Sequence, residues 1–248
     1  MSGYVSPPEK ILLAFRSGGR CAMCREIITV EATAYDPART LGVAAHIKGE
    51  NDTSARYDAA QDDKERNVYA NLVYLCGDCH TKIDKQGNSY PVHALLTMKA
   101  NHENWVNVKL GEGAVAVGFA ELAVVAQAIL GQPHNPTLDY GLLGPEAKMK
   151  KNGLGAAVLE QLKIGYGKAP EVTRYVNHVA AIDGDFPERL KAGFVERYNT
   201  LRATGIVGDA LFFALRDFAS QGSLDFMKQA AALSILTYLF QNCEIFEH

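Results

Sequence analysis

The sequence predicts an α+β chain in two parts, a small mixed unit followed by an all-α helical domain. Three observations predict this. Four of the five cysteines form two C-x-x-C pairs, Cys21/Cys24 and Cys76/Cys79. Around and between them, short apolar and β-branched runs alternate with polar loops. From residue 146 onward, apolar residues recur at three- and four-residue spacing, the period of a helix face.

The elements follow in order. Pro7, Pro8 and Glu9 open a short helix over Lys10–Arg16, which Ser17-Gly18-Gly19 ends; proline suits a first helical turn and glycine a helix stop. A first cysteine turn follows. Ile27–Ala34 is β-branched and reads as a strand, and Leu41–Ile47 is a second apolar run carrying His46 near its end. Residues 48–67 form a polar loop. Asn71–Leu75 is again apolar and runs into the second cysteine turn, after which a short helix is expected over His80–Asp84. Pro91–Val108 reads as a helix with Leu95, Met98, His102 and Trp105 or Val106 on one face. Ala114–Leu130 is the most apolar run and reads as one buried helix, although it carries Glu121 and Gln127. Gly131–Pro145 is the expected linker. Beyond it, Phe186, Leu190, Phe194, Tyr198 and Leu201 mark one helix, Leu211, Leu215 and Phe218 a second, and Leu224–Phe240 a third. The expected domains are residues 1–110, a helix and linker over 111–145, and an all-α assembly or partner-binding domain over 146–248.

Bulk properties bound the function classes. Of 248 residues, 48% are hydrophobic and 21% charged, enough apolar material for packed cores and too little charge bias for disorder. A net charge of −3 excludes a globally basic nucleic-acid coat, though a local patch can still steer an anionic ligand. Met1–Lys10 is polar and lacks the apolar segment of a secretory signal. No run reaches the roughly 20 apolar residues of a membrane span. A cytoplasmic protein without membrane contact is expected, and in that compartment paired C-x-x-C units suggest a metal more than disulfides.

The cysteines carry the strongest chemical signal. Two C-x-x-C turns can converge on one tetrahedral structural Zn²⁺ through Cys21, Cys24, Cys76 and Cys79, since each turn aims two sulfurs at one point. Such an ion would close the intervening loop and stabilise a domain too small for a full core. Free buried cysteines are the plainer alternative. Cys243, alone near the end, reads as a buried small hydrophobe.

Two further stretches, Val43-Ala44-Ala45-His46-Ile47 and Asn71-Leu72-Val73-Tyr74-Leu75-Cys76-Gly77-Asp78-Cys79-His80, together resemble the HNH, or His-Me finger, nucleases. The resemblance covers about residues 8–106 and includes Arg56-Tyr57-Asp58, Ile83-Asp84 and the helix with Met98-Lys99 and His102-Glu103, which look like the HNH nucleases of bacterial anti-phage effectors. It implies a zinc-stabilised ββα-metal fold and metal-dependent hydrolysis of DNA phosphodiesters. His46 is the expected general base, because imidazole titrates near neutral pH. His80 is the expected ligand of a catalytic divalent ion (Mg²⁺, Mn²⁺ or Zn²⁺), and Asp84, one helical turn later, can join it. Asn71 is expected to orient the His46 strand. Arg56 is a candidate phosphate contact, since a guanidinium matches phosphate bidentately, with Lys48 and Lys82 adding weaker contacts. One position departs from the family: many HNH nucleases carry a metal-ligating Asp or His just before the base, where this chain has Ala45. Plainer readings stand beside these: a strand-end His46, a His80 that flanks the zinc, a surface Asp84 and a solvated Arg56. His93, His102, His134, His178 and His248 read as structural or exposed.

Within the C-terminal half, Lys163–Tyr175, Asp185–Leu190 with Phe194–Tyr198, and Leu236–Glu247 look faintly like the C-terminal domains of effectors in ABC-three-component defence systems. That implies homo-oligomerisation or a defence-system partner protein. Lys163–Lys168 lacks the spacing of a phosphate-binding loop and reads as a helix stop. Two other functions remain open: a zinc-stabilised DNA- or protein-binding module without cleavage, and a protein whose helical domain is the main actor.

Overall fold

The computed structural model describes residues 4–30, 34–36, 39–131, 143–243 and 245–246. The chain divides into two compact units, Met1–Val106 and Asn107–His248. It is α+β and mostly helical, with two small sheets among the described residues.

In the first unit, α1 (Pro7–Arg16) begins on its prolines, and its last turn is closed by Ser17 and Gly19 donating to Leu13 and Ala14. Gly18 and Gly19 then take left-handed φ angles of 61° and 68°, which glycine adopts without a Cβ clash. β1 (Thr29–Val30) pairs antiparallel with β2 (Arg39–Thr40). The expected strand over residues 27–34 is thus two residues long where described: Ile27 instead bridges Arg20, and residues 31–33 lie outside the described residues. β3 (Val43–His46) pairs antiparallel with β4 (Leu72–Leu75), Val43 opposite Leu75 and His46 opposite Leu72. α3 (Gly77–Lys85) leaves β4 directly and packs on β3. It starts three residues before the expected helix, because Cys76 serves as its N-cap and accepts the Cys79 N–H. The core gathers Leu13, Ile28, Ala45, Ile47, Leu75, Ile83 and Leu95, and all four residues of β4 are buried.

The loop over residues 48–67 is more ordered than a polar loop. It holds α2 (Asp63–Arg66), capped by the Asp62 side chain accepting the Lys64 N–H. Arg66, 3% exposed, donates to the carbonyls of Gly49, Asp58 and Gln61, so one buried guanidinium ties the loop together.

α4 (Val92–Ala116) begins in the first unit and ends in the second. The expected single helix over 114–130 is two: α4 stops at Ala116, and α5 (Phe119–Ile129) sets off at 107° to it. Glu121 explains the break. Its carboxylate accepts the Gly118 N–H at 2.9 Å, so the charge is a cap for a new helix. Among the described residues no single helix is long and apolar enough to cross a membrane. The α5 side chains Leu122, Val125 and Ile129 are buried.

The second unit continues with α6 (Pro145–Asn152), α7 (Ala156–Tyr166), α8 (Ala169–Ala180), α9 (Phe186–Ala203), α10 (Gly208–Ser220) and α11 (Phe226–Asn242). α11 is its central helix, packed on α5, α7, α8 and α10. Phe186, Leu190, Phe194, Tyr198 and Leu201 form the buried face of α9. Glycine permits the tightest approaches here: Gly165 of α7 lies against Thr237 of α11, and Gly193 of α9 against the Ile129 carbonyl of α5. Lys148 is wholly buried, and its ammonium donates to the carbonyls of Phe240 and Cys243 at the end of α11. Most of the expected linker, residues 132–142, lies outside the described residues, as do His134 and His248.

Candidate metal centre and the adjoining histidine site

The two cysteine turns meet. The sulfurs of Cys21, Cys24, Cys76 and Cys79 all lie within 4.8 Å of one another, and Cys24 Sγ is 3.9 Å from Cys76 Sγ. Sulfurs about 2.3 Å from a central tetrahedral ion lie about 3.8 Å apart, so the cluster has the right size for a metal ion such as zinc. Local backbone geometry builds each turn. Cys21 N–H donates to Glu26 and Arg25 N–H returns to Cys21, with Arg25 in a left-handed conformation at φ 64°. Ala22 N–H donates to Tyr74 at 2.8 Å, docking the first turn on β4. The second turn is the β4–α3 junction itself.

The thiols lack a shared preference for ionisation. Burial raises the Cys21 thiol, but backbone hydrogen bonds from Cys24, Cys76 and Met23 outweigh it and leave Cys21 lowered. Cys79 is pushed well up, first by burial and then by its cysteine neighbours. Adjacent thiolates repel in a half-buried site, and a dication removes that conflict. The donor set fits a structural ion.

The histidine site begins one residue beyond the cluster. His46 ends β3, half-buried, with Nε2 3.0 Å from Asn67 Oδ1. The strand alternation that sends His46 to this face sends Ala45 into the core, where it is fully buried. His80 and Asp84 share a face of α3, with Nε2 3.2 Å from Asp84 Oδ2. Asp84 Oδ1 meets Arg56 Nη2 at 3.1 Å. Arg56 also donates to the Ile47 carbonyl at 2.8 Å, the Ile83 carbonyl at 2.7 Å and the His46 carbonyl at 3.4 Å. One guanidinium therefore joins the end of β3 to α3, and His46, Arg56, Asp84 and His80 form one connected group. With its side chain 5% exposed and turned inward from a residue at φ 62°, Arg56 is an internal clasp, which corrects the plainer reading of it as a solvated loop residue.

No family model matches this chain, and no curated protein matches it.

The remaining expected residues fall around that group. Asn71, 6% exposed, accepts the Lys48 N–H and donates to the carbonyls of Lys48 and Arg66, each at 2.9 Å. It thus fixes the chain two residues past His46. Lys48 Nζ pairs with Asp58 at 2.8 Å, and that hydrogen bond, followed by one from Ala60 N–H, holds the Asp58 carboxyl below the usual range. Lys48, Arg56, Asp58, Asp84 and Asn88 line an open cleft of about 650 Å³, which neither His46 nor His80 lines. Lys82 stands apart, exposed, with Nζ 5.9 Å from the Tyr90 ring centre. Among the described residues, only the four cysteines bring three or more potential ligand side chains together.

Asn67 and Arg66 are not among the residues that motif or spacing singles out. The pattern Asp62-x-x-Glu65 is an N-terminal helix signature that would have located α2, and with it Asn67 at the helix end. His102, read as structural or exposed, is 2% exposed, with Nε2 3.0 Å from the Ser17 carbonyl and its ring stacked on Trp105. Burial, first of all, lowers its basicity.

Proposed function

We propose that the N-terminal unit is a metal-dependent endonuclease of the HNH type, acting on DNA phosphodiesters and serving as the effector of a bacterial anti-phage system. The observation that supports this most is the β3–β4–α3 arrangement, with His46 ending its first strand, His80 in its helix and a cysteine cluster at the strand–helix junction. Arg56 and Asp84 tie the backbone end of the His46 strand to the His80 imidazole.

Phosphodiester hydrolysis needs an activated water, neutralised phosphate charge and a stabilised leaving oxygen. In this reading His46 takes the proton from water. His80 and Asp84 hold the catalytic ion; an imidazole and a carboxylate suit Mg²⁺, Mn²⁺ or Zn²⁺, and Mg²⁺ keeps much of its water shell. When bound, such an ion supplies charge neutralisation at the phosphate. Arg56 fixes Asp84 and the end of β3 in register. Lys48, at the cleft, contacts substrate phosphate. The helical second unit is assigned the assembly role, through self-association or a partner protein, on the strength of its resemblance and its separate core.

The test is plasmid cleavage in Mg²⁺, Mn²⁺ and EDTA by the wild type and His46→Ala. Cleavage that needs the added metal and falls by at least about 100-fold in the variant is expected. Equal cutting by a well-folded His46→Ala protein removes the mechanism. A second reading, a zinc-clasped binding module, is favoured by buried Ala45 and by the lack of a third ligand beside His80 and Asp84 among the described residues. Tight DNA binding without cleavage in any metal selects it.

A further inference from the structure

We propose that Asn67 is a positioning residue for His46: its side-chain oxygen holds the imidazole as the Nε2–H tautomer and leaves Nδ1 with the lone pair that accepts a proton. The inference rests on His46 acting as the base. It begins from the 3.0 Å separation of His46 Nε2 and Asn67 Oδ1. An amide oxygen only accepts, so the imidazole nitrogen facing it must carry the hydrogen. In neutral imidazole the other nitrogen is then unprotonated. Among the described residues, Nδ1 of His46 has no hydrogen-bond partner, and the ring is half-buried with access to water.

The amide is itself held in place. Asn67 follows the last residue of α2, and the neighbouring Arg66 is fixed on both its ends. The Arg66 carbonyl accepts from Asn71 Nδ2 at 2.9 Å. Its guanidinium donates to Asp58 and Gln61 carbonyls at 2.8 and 2.9 Å and packs over the Tyr57 ring at 4.6 Å. Asn71 pins Lys48 with the same side chain. Imidazole and amide therefore hang from two segments tied to one another by Asn71, an arrangement that keeps a proton-transfer group in register without reorganisation.

The sequence position supplies a test of charge. An aspartate at 67 would present a carboxylate to Nε2–H and favour the imidazolium, so the base would remain protonated to higher pH. An alanine would leave the ring unoriented.

The experiment uses the full metal-loaded chain, with His46 observed by ¹⁵N–¹H correlation NMR of the imidazole rings and cleavage followed across pH. In its neutral form the wild-type ring is expected to show Nε2 protonated and Nδ1 unprotonated. Asn67→Ala is expected to lose about 10–100-fold in kcat with KM little changed. Asn67→Asp, which keeps the shape, is expected to fold as the wild type and to move the acidic limb of the pH profile up by about one unit. In a His46→Ala background neither change should lower residual cleavage further. A wild-type His46 protonated at Nδ1, or an Asn67→Asp profile that does not move, overturns the proposal. If His46→Ala cuts normally, the base assignment fails, and the NMR tautomer decides the Asn67 contact alone. Should Asn67→Ala not fold, the Asn67→Asp profile and the wild-type tautomer still decide.

Discussion

Removing the metal should unfold the first unit far more readily, and the size of the effect follows from chain entropy. Cys24 and Cys76 are 52 residues apart in sequence and 3.9 Å apart at sulfur. A cross-link closing a loop of that length removes about 4 kcal/mol of denatured-state entropy at 25 °C. Against a typical domain stability of about 5–15 kcal/mol, this is a large share. With a urea m-value of about 2 kcal/mol/M, the unfolding midpoint should fall by about 2 M when the ion is stripped. The assay is built into the molecule. Trp105 is the sole tryptophan, and the Arg25 guanidinium, one residue past Cys24, lies 4.6 Å from its ring centre. Its fluorescence in a urea titration reports the first unit and the seating of the cysteine turn together. A metal assay should find about one ion released per chain as the signal changes. A chain that binds no ion, or one whose midpoint is the same with and without it, refutes the reasoning.

Other outcomes follow from single contacts. Asn71→Ala removes three hydrogen bonds of 2.9 Å, one buried and two part-buried, and should cost about 3 kcal/mol in the same titration; a loss under about 1 kcal/mol would show that water replaces them. Gly193→Ala places a methyl against the Ile129 carbonyl and should destabilise the second unit by about 2 kcal/mol or more, read as a lower midpoint by far-UV circular dichroism while the Trp105 transition stays put. Burial, partly opposed by Glu103, pushes Lys99 down to about 8 from an ordinary 10.5. Between those values the unfolded chain holds a proton that the folded chain has released, so this group makes stability rise with pH through that window. Lys99→Met should abolish that rise, and a variant with the wild-type pH slope would contradict it.

Much of the site was legible because it depends on spacing. A C-x-x-C turn fixes where two sulfurs point, and the residue after Cys79 must enter the following helix, so His80 and Asp84 could be placed on one face from sequence alone. His46 was legible as the end of an apolar run. What the sequence could not supply is the path of the loop between them. Arg56 turns inward because its backbone sits at φ 62°, and nothing in Ser54-Ala55-Arg56-Tyr57 announces a left-handed residue. Asn67 reaches His46 only because Arg66 and Asn71 knot the loop, a tertiary arrangement without a local signature. The bend between α4 and α5 was hidden for a different reason: composition marks Glu121 as an intruder in an apolar helix, whereas its position three residues after Gly118 makes it a cap.

The order of the four sulfurs along the chain has a consequence for biosynthesis. The first pair leaves the ribosome long before the second, and at about 5–20 residues per second the 52 residues from Cys24 to Cys76 take about 3–10 s to make. During that interval Cys21 and Cys24 are an unclaimed dithiol, open to oxidants and to loosely held ions. The second pair arrives with His80 attached to it, so the nascent chain gains its last two sulfurs and its second imidazole in a single step.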